Sequence, residues 1–299
     1  SSIEAEVYEG MHHAHRAHGA NHLGRIYGKL LTAALLVALA LVLIVPLWWT
    51  LASALRPAGS LYEYANPLTW RTFFPSEVTL DNFINIFTNL GFGRALANSF
   101  IVAFGAIAMG VVVSAMAGFA LAKFVFPGKS VFFFIVLLTF MVPFEAIVIP
   151  LHLVVKRIGI VNTYWALILP AVGNGLGIFL FKQFFEELPT ELLEAARVDG
   201  ASWLSIFTRI VIPLSLPAVV TVVVMMFLFQ WNSLFWPLVA TYSSRYQVVQ
   251  VAVASHVTAE EAHWANLFSS AIAASLPPML LFLAVQKQYV RGISSTGFK

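Results

Sequence analysis

The chain has 299 residues, of which 60% are hydrophobic and only 10% are charged, with a mean hydropathy of +0.84. Soluble domains carry roughly 25% charged residues, so this composition predicts a protein that crosses a membrane several times. The absence of cysteine excludes disulfides, thiolate catalysis and cysteine-ligated metal centres. A formal net charge of +3, spread along the chain, gives no indication of a nucleic-acid partner.

Six segments are apolar enough for membrane helices, each of which needs about 20 residues to cross roughly 30 Å of hydrocarbon. They cover residues 30–55, 95–122, 131–155, 158–181, 210–244 and 262–286. The first follows a polar tail and lacks a small-residue cleavage pattern, so it is predicted to be a permanent span and not a signal peptide. The predicted fold is an all-α integral membrane protein with six transmembrane helices, and the prolines within the spans predict a kinked bundle.

The distribution of Lys and Arg between the connections predicts which side of the membrane each one faces, because these residues accumulate on the cytoplasmic side. The N-terminal tail, the turn after the second span, the segment between the fourth and fifth spans and the C-terminus hold eleven of the seventeen. The connections on the other side hold the remaining six, which are Arg56, Arg71, Arg94, Lys156, Arg157 and Arg245. Both termini are therefore predicted to lie in the cytoplasm.

Two of the predicted outer connections are long, at residues 56–94 and 232–263. Within the first, VTLDNFINIF has the spacing of a short amphipathic helix, capped by Thr79 or Asp81. The second is polar and carries two adjacent glutamates. Both are predicted to offer docking surface to an extracytoplasmic partner, with a purely connecting role as the alternative.

A charged segment, ELLEAARVDGASWLSIFTRIVIP at residues 191–213, separates two apolar spans. Thr190 is predicted to cap a first helix, Gly200 to end it and Ser202 to cap a second one. An amphipathic helix that lies on lipid is rich in Lys and Arg, whereas this one carries more acid than base, together with paired alanines. The segment is therefore predicted to fit a cleft in a cytoplasmic protein, with a packing element of the same bundle as the alternative.

Residues 194–217, EAARVDGASWLSIFTRIVIPLSLP, resemble the EAA loop of ABC-importer permeases. The positions that match its pattern are Glu194, Ala195, Ala196, Gly200 and the closing Ile212–Pro213. The form EAARVDGAS, together with FQWNSLFWPL and QKQYVRGISSTGFK, is similar to the carbohydrate subfamily, as in maltose-type importers. The resemblance covers residues 30–299, and the SSTGFK ending and the N-terminal tail depart from the family pattern.

The resemblance implies a division of labour between subunits. This chain and a homologous permease would form the pathway for a sugar, which an extracytoplasmic solute-binding protein delivers. Two cytoplasmic ATPase subunits would bind ATP and Mg²⁺ and drive transport, so this chain is expected to bind no cofactor or metal and to catalyse no reaction; it has no glycine-rich phosphate loop. The residues implied to contact the ATPases are Glu194, Ala195, Ala196, Asp199, Gly200 and Ala201, with Gly297, Phe298 and Lys299 of the tail as further candidates.

Three residues are candidates for the substrate path. Glu145 is the only acid within an apolar span, where an ionisable side chain usually has a functional role. Trp231 and Asn232 belong to the aromatic stretch that resembles the subfamily. The stretch MHHAHRAHGANH at residues 11–22 holds five histidines, but no carboxylate lies between them, so a flexible tail is favoured over a metal site.

The predicted organisation begins with a cytoplasmic tail at 1–29, a first span at 30–55 and an extracytoplasmic loop at 56–94. A permease core at 95–287 follows, with its coupling loop at 188–213, and a cytoplasmic tail covers 288–299. The protein is predicted to lie in the cell membrane. One rival is an ABC permease for a glycerol phosphate ester or an amino acid. An integral membrane enzyme would need acids or histidines clustered at one depth. A channel would have no need of the charged segment.

Overall fold

The computed structural model describes the backbone of residues 2–61, 69–257 and 263–296, and the side chains of residues 28–61, 69–257 and 263–286. The described backbone is predominantly α-helical, as the composition predicts. The chain divides into two compact units, Ser1–Val78 and Thr79–Lys299, which are described in turn.

The first unit is dominated by one long helix, α1 (Ser2–Ala54). Within it Gly28–Ala54 is long and apolar enough to cross a membrane, in agreement with the predicted first span. The helix begins well before that span, so the backbone of the predicted tail is helical where it is described. Near its end the Trp48 indole Nε1 donates to the Phe73 carbonyl at 2.9 Å, which ties α1 to the short helix α2 (Trp70–Phe73).

The second unit is a succession of helices joined by short turns. In chain order they are α3 (Asp81–Thr88), α4 (Phe92–Lys123), α5 (Lys129–Met141), α6 (Phe144–Arg157), α7 (Tyr164–Val172), α8 (Gly175–Glu186), α9 (Thr190–Val198), α10 (Trp203–Ile206), α11 (Ile212–Leu214), α12 (Leu216–Trp231), α13 (Phe235–Ala240), α14 (Val249–Ala254) and α15 (Trp264–Thr296). A π-helical turn joins α10 to α11. The amphipathic helix predicted within the first outer connection is α3, but the prediction that Thr79 or Asp81 caps it is wrong. Leu80 occupies the capping position, Asp81 is the first helical residue, and the Thr79 hydroxyl accepts from the Asp81 N–H at 3.1 Å outside the helix.

Helix α4 lies at the centre of this unit and packs against α7, α8 and α12. Its small residues allow that packing, as the sequence indicates. A Cβ atom placed on Gly118 would lie 2.7 Å from the Phe181 Cβ and 2.9 Å from the Lys182 backbone nitrogen, so only glycine fits where α4 meets α8. Close backbone approach of this kind holds membrane helices together where burial from water cannot.

Two predicted spans are broken in the structure, in agreement with the kinked bundle that the sequence predicts. The span predicted at 131–155 consists of α5 and α6, which meet at 103°. Pro143 explains the break, because a proline disfavours the helical conformation of the residue before it, and Val142 is extended. The span predicted at 210–244 contains α12, which meets the helix before it at 80° and ends at Trp231.

The number of spans agrees with the prediction when each bent pair counts as one. Among the described residues four helices are long and apolar enough to cross a membrane, and the two bent pairs raise the number to six. The fourth predicted span is made of α7 and α8 in succession, where the Asn174 side chain accepts from the Gly177 N–H at 2.7 Å and restarts the helix. The chain is therefore a multi-pass, all-α membrane protein.

Candidate functional site

The charged segment forms helix α9, which ends in the turn that the sequence predicts. Gly200 has a φ of 84°, in the left-handed region that favours glycine. The Ala201 N–H donates to the Ala196 carbonyl at 2.9 Å, and the Gly200 N–H donates to the Arg197 carbonyl at 3.0 Å. This pair of hydrogen bonds is a Schellman motif, which satisfies the last carbonyls of the helix.

The start of α9 differs from the prediction. Thr190 is the first helical residue and not its cap, because Pro189 occupies the capping position and no side chain bonds to the first turn. Proline suits that place since a helix leaves its first N–H groups unpaired. Glu191 lies in the first turn, where the helix dipole favours a negative charge.

The turn between α9 and α10 is fixed by side chains on both sides. The Arg197 guanidinium donates from Nη1 to the Ala201 carbonyl at 2.7 Å and lies over the Trp203 ring, 5.1 Å from its centroid. The Ser202 hydroxyl accepts from the Ser205 N–H at 3.2 Å, so the predicted cap of the second helix is confirmed. The helix–turn–helix is thus a fixed unit.

An aromatic cluster attaches this unit to the end of α4. The Trp203 ring lies 4.8 Å from Phe124, and Phe119 lies 5.3 Å from Phe207 and 6.1 Å from Phe185. These edge-on and tilted contacts are favourable arrangements of aromatic rings. The cluster therefore packs α10 and the π-helical turn against the end of α4.

Two further contacts hold the segment in place. Leu193 and Ile206 are buried in the core of the second unit, so each of the two short helices contributes one apolar anchor. The Lys123 ammonium at the end of α4 donates to the Leu188 carbonyl at 2.7 Å, immediately before α9. Because the anchors point inward, the opposite face of α9 is exposed.

That outer face carries the residues that the resemblance singled out. Glu194, Ala195, Asp199 and Gly200 are exposed, while Ala196 and Ala201 are half-buried against the core. The small side chains leave the helix backbone accessible, and Glu194 and Asp199 outnumber Arg197, so this surface has a net negative charge. We name this face, residues 194–201, the docking face.

The substrate-path candidates lie apart from the docking face and in different surroundings. Glu145 is exposed in the first turn of α6, directly after the break at Pro143. Asn232 is exposed after α12, and its Nδ2 donates to the Leu228 carbonyl at 2.8 Å.

Trp231 has a packing role in this conformation. It is 1% exposed, stacks on Phe227 at 5.3 Å, and donates from Nε1 to the Ala274 carbonyl at 2.9 Å. The ring thus joins α12 to α15 and has no open face for a solute. A substrate contact by Trp231 stays a prediction that requires this packing to open.

Two predicted features fall outside the described residues. Gly297, Phe298 and Lys299 of the tail lie there, as do the side chains of the N-terminal histidines. Among the residues that are described, no group of three or more His, Asp or Glu side chains is placed to hold a metal ion.

Sequence reasoning missed a polar network at the other end of α4. Asn98 is buried and donates from Nδ2 to the carbonyls of Arg245 and Gln247 at 2.9 and 2.8 Å, while its Oδ1 accepts from the Tyr164 hydroxyl at 2.7 Å. The neighbouring Ser99 hydroxyl accepts from the Val249 N–H at 2.8 Å. The sequence signal for this network is the pair of adjacent polar residues, Asn98 and Ser99, near the start of an apolar span.

The histidine at the end of the same outer connection is also buried. Burial, and secondly the nearby His263, lower the pKa of His256 below its ordinary value. The His263 N–H donates to the His256 carbonyl at 2.8 Å, so the two residues close the connection between α14 and α15. Because the folded connection favours the neutral form of His256, it is most stable where that imidazole is neutral.

Comparison with known proteins places the chain in a family. Residues 110–295 match the family described as binding-protein-dependent transport system inner membrane component. The arabinooligosaccharides transport system permease protein AraQ of Halalkalibacterium halodurans is 32% identical over 262 residues, which cover 87% of this chain and 93% of that protein. The sn-glycerol-3-phosphate transport system permease protein UgpE of Shigella flexneri is 32% identical over 238 residues, 77% of this chain and 84% of that protein.

A solved structure agrees with the fold. One chain from the crystal structure of a bacterial ABC transporter involved in the import of the acidic polysaccharide alginate superposes with a TM-score of 0.78 at 22% identity, covering 88% of this chain and 96% of that one. The family match covers more than half of the chain, and the segment 190–213 lies within it. The chain therefore belongs to the inner-membrane components of binding-protein-dependent transport systems and is a permease subunit of an ABC importer.

Proposed function

We propose that the docking face of α9 couples this permease to a cytoplasmic ATPase, and that the pathway it forms carries a carbohydrate. The observation that carries the coupling role is the way α9 is held. Its turn is closed by a Schellman motif, its inner residue Leu193 is buried in the core, and Glu194 and Ala195 remain exposed. A pre-organised helix with small exposed side chains suits insertion into a cleft of a protein.

The charge distribution supports the side of the membrane on which the ATPase would bind. The segment between the fourth and fifth spans belongs to the set of connections that holds eleven of the seventeen Lys and Arg residues. This excess favours a cytoplasmic position for α9 and for both termini. ATP and Mg²⁺ would then be bound by two separate ATPase subunits, and a homologous permease would complete the pathway.

Carbohydrate is the solute class that the relatives and the sequence together favour. The AraQ relative is named for arabinooligosaccharides, and the stretch FQWNSLFWPL is similar to the carbohydrate subfamily. A glycerol phosphate ester is the second candidate, because the UgpE relative is named for sn-glycerol-3-phosphate. Glu145 and Asn232 are exposed polar side chains near helix breaks and remain the candidates for contacts with the solute. A ligand screen of the cognate solute-binding protein would distinguish the two classes.

The coupling role is tested by substitutions in the complete transporter, reconstituted in vesicles. Gly200→Val forces a branched side chain into the left-handed region, and Glu194→Lys reverses a charge of the docking face. We expect both to abolish ATP-driven uptake while the subunit still inserts. The purified subunit alone is expected to hydrolyse no ATP.

Matched controls separate docking from general damage. Gly159 has a φ of 77° with no atom near its missing side chain, so Gly159→Val introduces the same strain, about 1–2 kcal/mol, away from α9. Glu187→Lys reverses the charge of an exposed residue just before α9. Both controls should transport. Normal uptake by Gly200→Val and Glu194→Lys would exclude the coupling role.

A further inference from the structure

We infer that the helical N-terminal tail binds a divalent transition-metal ion through histidines that the helix brings to one face. The tail is continuous with the first span in α1 (Ser2–Ala54), and its backbone is helical through the whole stretch MHHAHRAHGANH at residues 11–22. From the sequence alone a flexible tail is favoured, because no residue between the histidines fixes the geometry of a site. The helix supplies that geometry, so a metal site replaces the flexible tail as the favoured interpretation.

Four of the five histidines in the stretch share one side of α1. Successive residues of an α-helix turn by about 100°, so residues three, four or seven apart lie on nearly the same face. The four histidines follow one another at steps of three, three and four residues and are His12, His15, His18 and His22. They occupy an arc of about 120°, which we name the histidine face. His13 lies about 160° from His15 around the helix, on the opposite side.

The pair His18 and His22 has the spacing that suits one metal ion. Residues four apart on a helix have Cβ atoms about 5–6 Å from one another. Two imidazole nitrogens, each at the usual zinc distance of about 2.0–2.1 Å, can bridge a gap of that size. A pair of histidines with this spacing on one helix also holds the zinc ion in the HExxH motif. His15 lies one turn before His18 on the same face and extends the site.

The composition of the stretch selects the class of ion. Residues 11–22 contain no Asp, Glu or Cys, so imidazole is the charged-metal donor that the stretch offers. Imidazole suits Zn²⁺, Ni²⁺ and Cu²⁺, whereas Mg²⁺ and Ca²⁺ prefer carboxylate, carbonyl and water oxygens. Arg16 lies about 100° from His15 around the helix and therefore off the histidine face. The site is thus suited to a late first-row transition metal.

The helix and the metal ion stabilise one another. An imidazole with an ordinary pKa of about 6.5 is mostly neutral at physiological pH, which is the form that binds a metal. Ligands that the backbone already places on one face need little ordering, and such pre-organisation increases affinity. An ion that joins two successive turns binds the helical tail better than an unfolded one, so it stabilises the helix in return. Metal binding is therefore measurable in the tail itself.

The test is a calorimetric titration of the purified subunit with Zn²⁺ near neutral pH. We expect His18→Ala to weaken Zn²⁺ binding about tenfold. His13→Ala removes a histidine from the opposite side of the same helix and should weaken Zn²⁺ binding less than about twofold. The three histidines outside the tail, His152, His256 and His263, are present in every variant and contribute equally. Mg²⁺ in excess should not displace the bound Zn²⁺.

A double variant separates a helical site from a tail that is merely rich in histidine. His18→Ala with Ala20→His keeps the number of histidines but moves one about 160° from His22 around the helix. We expect this variant to bind Zn²⁺ as weakly as His18→Ala does. We also expect Zn²⁺ to slow the hydrogen exchange of residues 15–22 in the parent subunit and not in the double variant.

Each outcome decides for or against the histidine face. Binding as tight in the double variant as in the parent, or equal weakening by His13→Ala and His18→Ala, would show a flexible histidine tract and overturn the inference. A parent tail that binds no Zn²⁺, or whose exchange is unchanged by Zn²⁺, would overturn it as well. None of these measurements involves ATP or uptake, so their results are independent of the proposed coupling role.

Discussion

Helix α4 holds a connecting segment at each end, and the two segments are held in different ways. Residues 190–213 are attached by rings, with Trp203 and Phe124 4.8 Å apart, and by the buried Leu193 and Ile206. The outer loop, residues 241–247 at the other end of α4, is attached by hydrogen bonds from Asn98 and other polar side chains. Apolar packing depends on close contact between surfaces, whereas hydrogen bonds also require a set direction between donor and acceptor.

The largest effect in this comparison is expected from removing the aromatic attachment. Trp203→Ala changes no residue of the docking face but deletes the ring that contacts Phe124 and lies against the Arg197 guanidinium. Loss of this half-exposed ring should cost about 2 kcal/mol of packing and loosen α9 from α4. We expect ATP hydrolysis to continue while the amount of solute transported per ATP falls severalfold.

The matched control removes a tryptophan that does not attach the segment. Trp165 is 53% exposed on α7, so Trp165→Ala should leave the ratio of solute to ATP unchanged. Trp203→Phe keeps a ring and should restore most of the coupling. If Trp203→Ala transports with the parent ratio, the aromatic cluster does not transmit movement and the proposed difference between the two ends is incorrect.

A smaller effect is expected at the outer end from protonation of His256. Burial and the neighbouring His263 lower its pKa, so the unfolded chain binds the proton more readily than the folded one. The contribution of His256 to the stability of the folded connection is therefore fully present above the ordinary pKa of about 6.5. It decreases as the pH falls from there towards the lowered pKa. His256→Gln should remove this dependence.

Hydrogen exchange measures this effect locally. The His263 N–H donates to the His256 carbonyl, so its protection, corrected for the intrinsic exchange rate, reports the closed connection. Protection should decrease between about pH 7 and pH 5 in the parent protein and stay constant in His256→Gln. If the protection of the His263 N–H decreases equally in the parent protein and in His256→Gln, a group other than His256 causes the pH dependence.

The sequence was most informative where local chemistry determines structure. The end of α9 at Gly200, the cap at Ser202 and the small residues of α4 all follow from short-range rules and are confirmed. The class of the protein follows from composition, because a chain with so few charges cannot be a soluble domain. The family resemblance rested on the same charged segment and is also confirmed.

The features that sequence reasoning missed depend on contacts between distant residues. Prolines within the spans predict kinks, but no local rule gives the angle, which is 103° at Pro143. Asn98 and Asn162 are each separated from their partners in the outer loop by about eighty residues or more, and no local pattern indicates that pairing. Trp231 is a candidate for the substrate path by sequence, but tertiary packing buries it in this conformation.

The most direct test of the coupling role uses the absence of cysteine from this chain, because one introduced thiol is then the only one in the subunit. Ala195→Cys places it on the docking face, and Ser244→Cys places it in the outer loop, both at exposed positions. In the complete transporter, a thiol-attached photo-crosslinker should join Ala195→Cys to an ATPase subunit and should leave Ser244→Cys unattached to it. Failure of Ala195→Cys to crosslink to the ATPase, or its labelling by an impermeant thiol reagent from outside the cell, would contradict the coupling role.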